Sequence, residues 1–284
     1  MDIGFWAGIT AMFFYGAEDV LVAIALKYDE VIKILLLGSV VVMLMFLPIL
    51  YYFLPTLQFN VYYVLLTVAA GLMGCLALFV YFRGIQIDKV SMVAPVSSAW
   101  PVITVPLGVF LLAQGLTNVE VLGVALVILG SAFIALRFQQ LRKLKSASAI
   151  KGIEYGLVTM IIWGIMYWLL GYSSKNMGWF ATIFIFGLVE TSVFLLYFLY
   201  KKVPMKISRK AIAPTITEAI FGGIAILAFG FGSQYGNISI VSPLTAASPL
   251  VVVLLAYIFL RERLAVNEKV GIILLIVGTV LLSF

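Results

Sequence analysis

Ser91-Met-Val-Ala-Pro95-Val-Ser-Ser-Ala-Trp100-Pro101 and Ser239-Ile-Val-Ser-Pro243-Leu-Thr-Ala-Ala-Ser248-Pro249 share a serine, a valine and two prolines at one spacing, 148 residues apart. Held at that offset without a gap, the match runs on from Leu116, Glu120, Gly123, Ile128 and Gly130 to Leu264, Glu268, Gly271, Ile276 and Gly278. In the other direction it carries Gly8, Met12, Gly16, Gly74 and Gln86 onto Gly156, Met160, Gly164, Gly222 and Gln234. Self-similarity of this length is a tandem duplication. The expected division is a first repeat over 1–136, a basic linker over 137–151 and a second repeat over 152–284.

Composition sets the solvent of that duplication. Hydrophobic residues make up 64% and charged residues 11% of the chain, and the mean hydropathy is +1.19. No water-facing surface of ordinary polarity can be assembled from this material. In lipid every backbone N–H and C=O must be satisfied internally, and the apolar runs are about twice as long as a barrel strand, so the spans are helices. Ten are expected: 3–27, 32–54, 60–83, 90–113, 118–137, 152–174, 178–200, 210–235, 238–260 and 266–283. The fold class is therefore an all-α polytopic membrane protein. The first span lacks a basic leader and a small-residue cleavage site and is expected to be a retained helix. Cys75 is the lone cysteine and histidine is absent, which excludes an intrachain disulfide, a Cys/His metal site and a histidine proton relay. No cofactor is implied.

Loop charge gives the orientation. With an external N-terminus, Lys175 is the single basic residue outside, and the other seventeen of the 18 fall in cytoplasmic loops, densest around Arg142 and Lys206. That distribution is the positive-inside bias against anionic lipid and does not call for nucleic acid. Five spans per repeat is an odd number, so the repeats lie upside down relative to one another. Charge follows the inversion: Arg83, Asp88 and Lys89 correspond to Gln234, Gly236 and Asn237, whereas Ala113-Gln-Gly115 corresponds to Arg261-Glu-Arg263. Two inverted five-helix repeats are an architecture of alternating access around a midplane site. The expected location is the cell membrane, with both termini external.

Residues that are costly in lipid mark the site. Glu18 and Asp19 lie mid-way along the first span, Glu190 near the middle of the seventh and Glu218 about two turns into the eighth. No Lys or Arg lies at comparable depth, so these acids are expected to be protonated, hydrogen-bonded or cation-binding. A neutral acid bonding between helices is the alternative for each. Adjacent helical positions point about 100° apart, so Glu18 and Asp19 cannot share one role. Tyr15, Trp163 and Tyr167 lie at the same level and offer a stacking or cation–π wall, core packing being the other reading. Pro95 and Pro243 open the fourth and ninth spans, while Pro101 and Pro249 lie deeper. A proline inside a span bends it and frees carbonyls near Ser97, Thr245 and Ser248.

These residues carry a family resemblance. Tyr15-Gly16-Ala-Glu18 and Trp163-Gly164, the proline-rich openings above, and Phe259-Leu-Arg-Glu262-Arg-Leu264 followed by Gly271-Ile-Ile-Leu-Leu-Ile-Val-Gly278 resemble the EamA-type, ten-helix branch of the drug/metabolite transporter superfamily. The resemblance covers essentially the whole chain. It implies a central cavity lined by spans 1, 3, 4, 6, 8 and 9, which raises Glu18, Trp100, Trp163, Tyr167 and Glu218 and lowers Glu190. Many relatives carry Ser-Asn after the aromatic-Gly pair; Ala17-Glu18-Asp19 makes this site more acidic. The small multidrug-resistance relatives carry a glutamate eight residues before a lysine, a spacing matched here by Asp19 and Lys27.

An acidic centre without deep bases disfavours sugar phosphates and other anions, which need basic groups to replace lost hydration. The expectation is a secondary transporter for a small cationic or zwitterionic organic solute, such as an amino acid or amine, exporting it in exchange for protons. The alternatives are an uncoupled facilitator or a nutrient importer for the same solutes. An integral-membrane enzyme would need a cluster of acid, base, nucleophile or metal ligands at an interface, and no such cluster is visible. The expected partners are the solute, the proton and the lipid bilayer; the sequence does not decide between monomer and homodimer.

Overall fold

The computed structural model describes residues 3–88, 93, 96–135, 147–204, 206–260 and 265–284. Within them the chain forms α1 (Ile3–Ala25), α2 (Val31–Phe53), α3 (Val61–Asp88), α4 (Pro101–Leu112), α5 (Asn118–Ala135), α6 (Ala147–Met177), α7 (Trp179–Tyr200), α8 (Arg209–Tyr235), α9 (Ile238–Thr245), α10 (Pro249–Leu260) and α11 (Val266–Leu281). Seven helical segments are long and apolar enough to cross a membrane, the combined α9–α10 segment among them. With the shorter α4, α5 and α11, the described residues form ten helical spans and no strand. Pro95, most of the expected linker and the Arg261-Glu-Arg263 stretch lie outside the described residues. The third span runs on to Asp88, and the sixth starts at Ala147 rather than 152. Polar residues extend both helices beyond their apolar runs, where hydropathy gives no signal.

The helix pairing follows the duplication. α1 packs along α8 and α3 along α6, and the repeat offset turns one pair into the other. α2 packs on α7, α4 on α9 and α5 on α11, each helix meeting its own counterpart or, for α4, the first half of the broken counterpart span. Glycines set these approaches. A Cβ at Gly8 would lie 2.8 Å from the Leu244 Cβ, and one at Gly156 would lie 2.8 Å from the Val96 Cβ; the two contacts are the same contact in the two repeats. Gly16 against Val251 and Gly164 against Ile103 repeat the relation, at 2.5 Å each.

The crossing of α5 and α11 fixes the sense of the symmetry. A Cβ on Gly130 would meet the Gly271 carbonyl oxygen at 2.8 Å, and a Cβ on Gly123 the Gly278 carbonyl oxygen at 3.0 Å. The start of each helix therefore lies against the end of the other, so equivalent helices run antiparallel and the two repeats are inverted. In lipid, where burying apolar side chains gives little association energy, small residues allow this close backbone approach.

Short connections are pinned by side chains. Gly178, at φ +101°, joins α6 to α7 in one residue, a backbone geometry that L side chains rarely adopt. The first amide of α7, on Trp179, donates to Gln234 Oε1 at 2.6 Å, which satisfies one of the N–H groups a helix start leaves open. At the other end of the bundle Asp29 follows α1. Its Oδ2 accepts from the Ser208 amide at 2.6 Å and its Oδ1 from the Glu30 amide at 2.8 Å, with Lys33 Nζ 3.1 Å away. The Ser208 amide, then the Glu30 amide and Lys33, hold the Asp29 carboxyl below the usual carboxylate range, with partial burial opposing them. This contact ties the α1–α2 turn to the start of α8.

Two measurements check this account. Gly271→Leu should lower thermal stability in detergent by about 1–3 kcal/mol through overpacking, whereas Gly115→Ala, which meets nothing within 4 Å, should change it by less than about 0.5 kcal/mol. Because the Asp29 value is depressed on folding, its contribution is present above the ordinary carboxylate range and is lost as pH falls through the folded value. Asp29→Asn should therefore be less stable than wild type at neutral pH, and the gap should close as the medium is acidified.

Candidate functional site

The ninth span is broken. α9 ends at Thr245, Ala246 to Ser248 form a turn, and α10 begins with Pro249 as its first residue. The fourth span repeats this, with turn geometry over Ser98 to Trp100 and α4 starting at Pro101. Proline supplies no N–H and its ring clashes with the preceding turn, so each helix restarts at the proline. Gly16 of α1 lies against the first break: a Cβ there would be 2.7 Å from the Ser248 carbonyl oxygen. Gly164 of α6 lies against the second, 2.8 Å from the Trp100 carbonyl oxygen. The Thr104 hydroxyl bridges to the Gly164 carbonyl oxygen at 2.8 Å.

This packing sends the two acids of α1 to different places. Asp19 faces the Ser248 hydroxyl in the ninth-span turn. Asp19 is exposed, and with that turn on one side and phenols of α3 and α6 on the others it lines a cleft within the bundle. The phenols of Tyr81 on α3 and Tyr167 on α6 are within electrostatic reach of it. Glu18 turns toward α8, where Gly222 makes room: a Cβ at 222 would lie 2.7 Å from the carboxyl carbon of Glu18. Its Oε2 is buried and has no hydrogen-bond partner. The groups that act on it are Glu218, Asp19 and Glu190, in falling order.

Glu218, one turn before Gly222 on α8, is 7% exposed and points at α2, with its Oε1 2.9 Å from the place a Cβ on Gly38 would take. Glu190 of α7 meets Gly74 of α3 beside the Met166 sulfur, both 3.1 Å from a Cβ placed there. Among the described residues no lysine or arginine acts on these four carboxylates. Among the described residues no three acid, cysteine or histidine side chains converge as a metal cage.

Aromatic rings face the same region. Trp100 and Tyr167 stack with centroids 4.2 Å apart at 20°, and Phe229 meets Tyr167 edge-on at 4.9 Å. Tyr81 and Trp163 lie 5.4 Å apart. The Tyr167 hydroxyl donates to the Tyr15 hydroxyl at 3.3 Å, and Tyr15 is in turn within reach of Glu18 and Glu190. Ser97 is 1% and Thr245 2% exposed, and the Thr245 hydroxyl has no partner. Pro243 lies inside α9, away from the turn. Tyr81, Phe229 and Gly222 went unrecognised as site residues from sequence. The repeat offset carries the signal, since Tyr81 matches Phe229 and Gly74 matches Gly222.

The two halves match one family model separately, over residues 2–136 and 150–284. The chain belongs to the EamA-like transporter family. It is thus a multi-pass membrane protein of a transporter family. An uncharacterized protein of Methanocaldococcus jannaschii is 35% identical over 75 residues, which is 26% of this chain and 55% of that one. The chain thus spans about half the length of that relative. A protein of known crystal structure superposes with a TM-score of 0.82 at 14% identity, over 98% of this chain and 95% of the other, which shows a shared fold.

Set on the duplicated EamA-like frame, the acids are unpaired by symmetry. Glu18, Glu190 and Glu218 correspond to Met166, Val42 and Ala70, and Asp19 corresponds to Tyr167. Around them the frame is kept in both halves, but each carboxylate occurs once. Truncating the stacked ring, Trp100→Ala, should cost about 3–5 kcal/mol of stability in a denaturation series. Tyr167→Phe keeps the stack, loses only the bond to Tyr15, and should cost about 1 kcal/mol.

Proposed function

We propose that this EamA-like protein is a secondary active transporter for a small cationic or zwitterionic organic solute, such as an amino acid or amine, and that it exports the solute in exchange for protons by alternating access. The observation that carries the reading is an exposed carboxylate, Asp19, deep in the bundle beside aromatic rings. A carboxylate with no basic partner in a water-poor setting favours a cation, and ring faces add attraction for an ammonium group. Anionic cargo would find acids and phenols there and, among the described residues, no basic group. The match of both halves to a transporter family supports transport.

The packing is uneven between the two ends of the bundle, which supports alternating access. Asp19 and Ala23 on one face of α1 are exposed, whereas their counterparts on α6 are closed in: Tyr167 is partly buried and Gly171 lies under Ile238, 2.8 Å from a Cβ at 171. The site is thus more accessible from the end where α1 terminates. With basic loops cytoplasmic and both termini external, that end faces the cytoplasm, where an exporter loads.

Purified protein in liposomes containing a pH-sensitive dye provides the test. Addition of mixed amino acids, amines or quaternary ammonium compounds should move protons, and Glu18→Gln or Asp19→Asn should reduce that signal at least about tenfold, the effect of about 1.4 kcal/mol at one essential contact. Proton movement unchanged in both variants would sink the coupled reading, and tracer flux without proton movement would favour a facilitator.

A further inference from the structure

Neighbouring acids on one helix invite a single shared role, but Glu18 and Asp19 face different elements and have different surroundings. We infer that Asp19 receives the ammonium group of the cargo and that Glu18, with Glu218 across the α1–α8 contact, holds the proton exchanged for it. This rests on the transport reading above and assigns the chemistry within it.

Asp19 has what a cationic ligand needs. The residue is exposed, and it faces the hydroxyl of Ser248 in the turn that interrupts the ninth span. An ammonium N–H can donate to that carboxylate beside the Ser248 hydroxyl. One turn earlier Thr245 carries a hydroxyl that is buried and without a partner, a further acceptor beside the break. The faces of Tyr81 and Trp163 complete an apolar and quadrupolar side for the carbon skeleton. Tyr81 and Tyr167 are the titratable groups that face Asp19 from α3 and α6.

Glu18 has none of these. Gly222 fits its carboxyl so closely that one added carbon would press on it, so the side toward α8 is filled. Tyr15 on its own helix, Glu218 from α8, Glu190 from α7 and Tyr167 from α6 are the titratable groups around it, together with Asp19. All are acids or phenols. A buried oxygen without any donor, in such company, is matched by a proton on its own carboxyl. A cation arriving at Asp19, one residue away, lowers the cost of ionising Glu18. The Glu18 O–H bond then breaks, the proton passes to water, and one positive charge has replaced another. Charge in the buried centre stays constant, which is the condition a low-dielectric interior imposes.

The measurement is cation binding with proton counting on the full chain in nanodiscs. n-Butylammonium, tetraethylammonium and lysine are titrated separately in weak buffer, with tryptophan fluorescence reporting binding and a pH indicator reporting release. Wild type should release about one proton per cation bound. Asp19→Asn should bind at least tenfold more weakly, and Asp19→Glu should recover part of that loss. Glu18→Gln should still bind within about threefold of wild type but release no proton, with affinity independent of pH, while Glu18→Asp should restore release. Equal loss of binding in Asp19→Asn and Glu18→Gln, or undiminished release in Glu18→Gln, overturns the division while leaving cationic transport standing. Wild type that binds none of the three compounds overturns the cationic-cargo reading itself, and the division with it.

Discussion

Helices surrounded by lipid gain little by burying apolar side chains against each other, so the closeness of their backbones decides which pairs form. The glycine contacts supply that closeness. Gly123 and Gly130 place α5 against Gly278 and Gly271 of α11, and Gly8, Gly16, Gly156 and Gly164 bring α1 and α6 onto the two proline-interrupted spans. Because these glycines are repeated at one offset, the pseudo-symmetric frame is specified twice by the same sequence device. The inverted arrangement follows from the antiparallel α5–α11 contact.

A duplicated frame makes its exceptions informative. Glu18 stands where the other repeat has Met166, yet both side chains meet a repeat-related glycine, Gly222 for Glu18 and Gly74 for Met166. The space is structural and shared, while the carboxyl filling it belongs to one half. A methionine there satisfies packing without any polar cost. Retaining an acid against that cost in one half alone separates chemistry from architecture, and the same argument holds for Glu190 and Glu218 against Val42 and Ala70.

Much of this was legible in the sequence, for identifiable reasons. Hydropathy and length gave the spans, since the bilayer permits little else. The offset gave the duplication, and loop charge gave the inversion. What the sequence could not supply was direction. Glu18 and Asp19 diverge by about 100° on any helix, but only the packing of Gly16 on the Ser248 turn decides that Asp19 meets the cleft and Glu18 meets α8. Tyr81 escaped notice because nothing local distinguishes it from tyrosines at span ends; its place beside Trp163 depends on α3 lying along α6, a contact between distant segments. The beginning of α6 and the end of α3 were misplaced because polar helical turns beyond the apolar run carry no hydropathy signal.

The position of α1 connects these observations. One of its faces lies along α8 and carries Glu18, while another meets the interrupted ninth span and carries Asp19. A helix clamped on two sides by glycine contacts cannot rotate or shift at one contact without disturbing the other, because packed interfaces switch between discrete arrangements rather than deforming smoothly. Its far end is tied through Asp29 to Ser208 at the start of α8, so α1 and α8 are joined at that end as well as by the Glu18–Gly222 contact. The proline break divides the ninth span into α9 and α10, and the turn between them holds the serine that faces Asp19. Movement of α10 against a clamped α1 would change the surroundings of Asp19 first and those of Glu18 only through α1 itself.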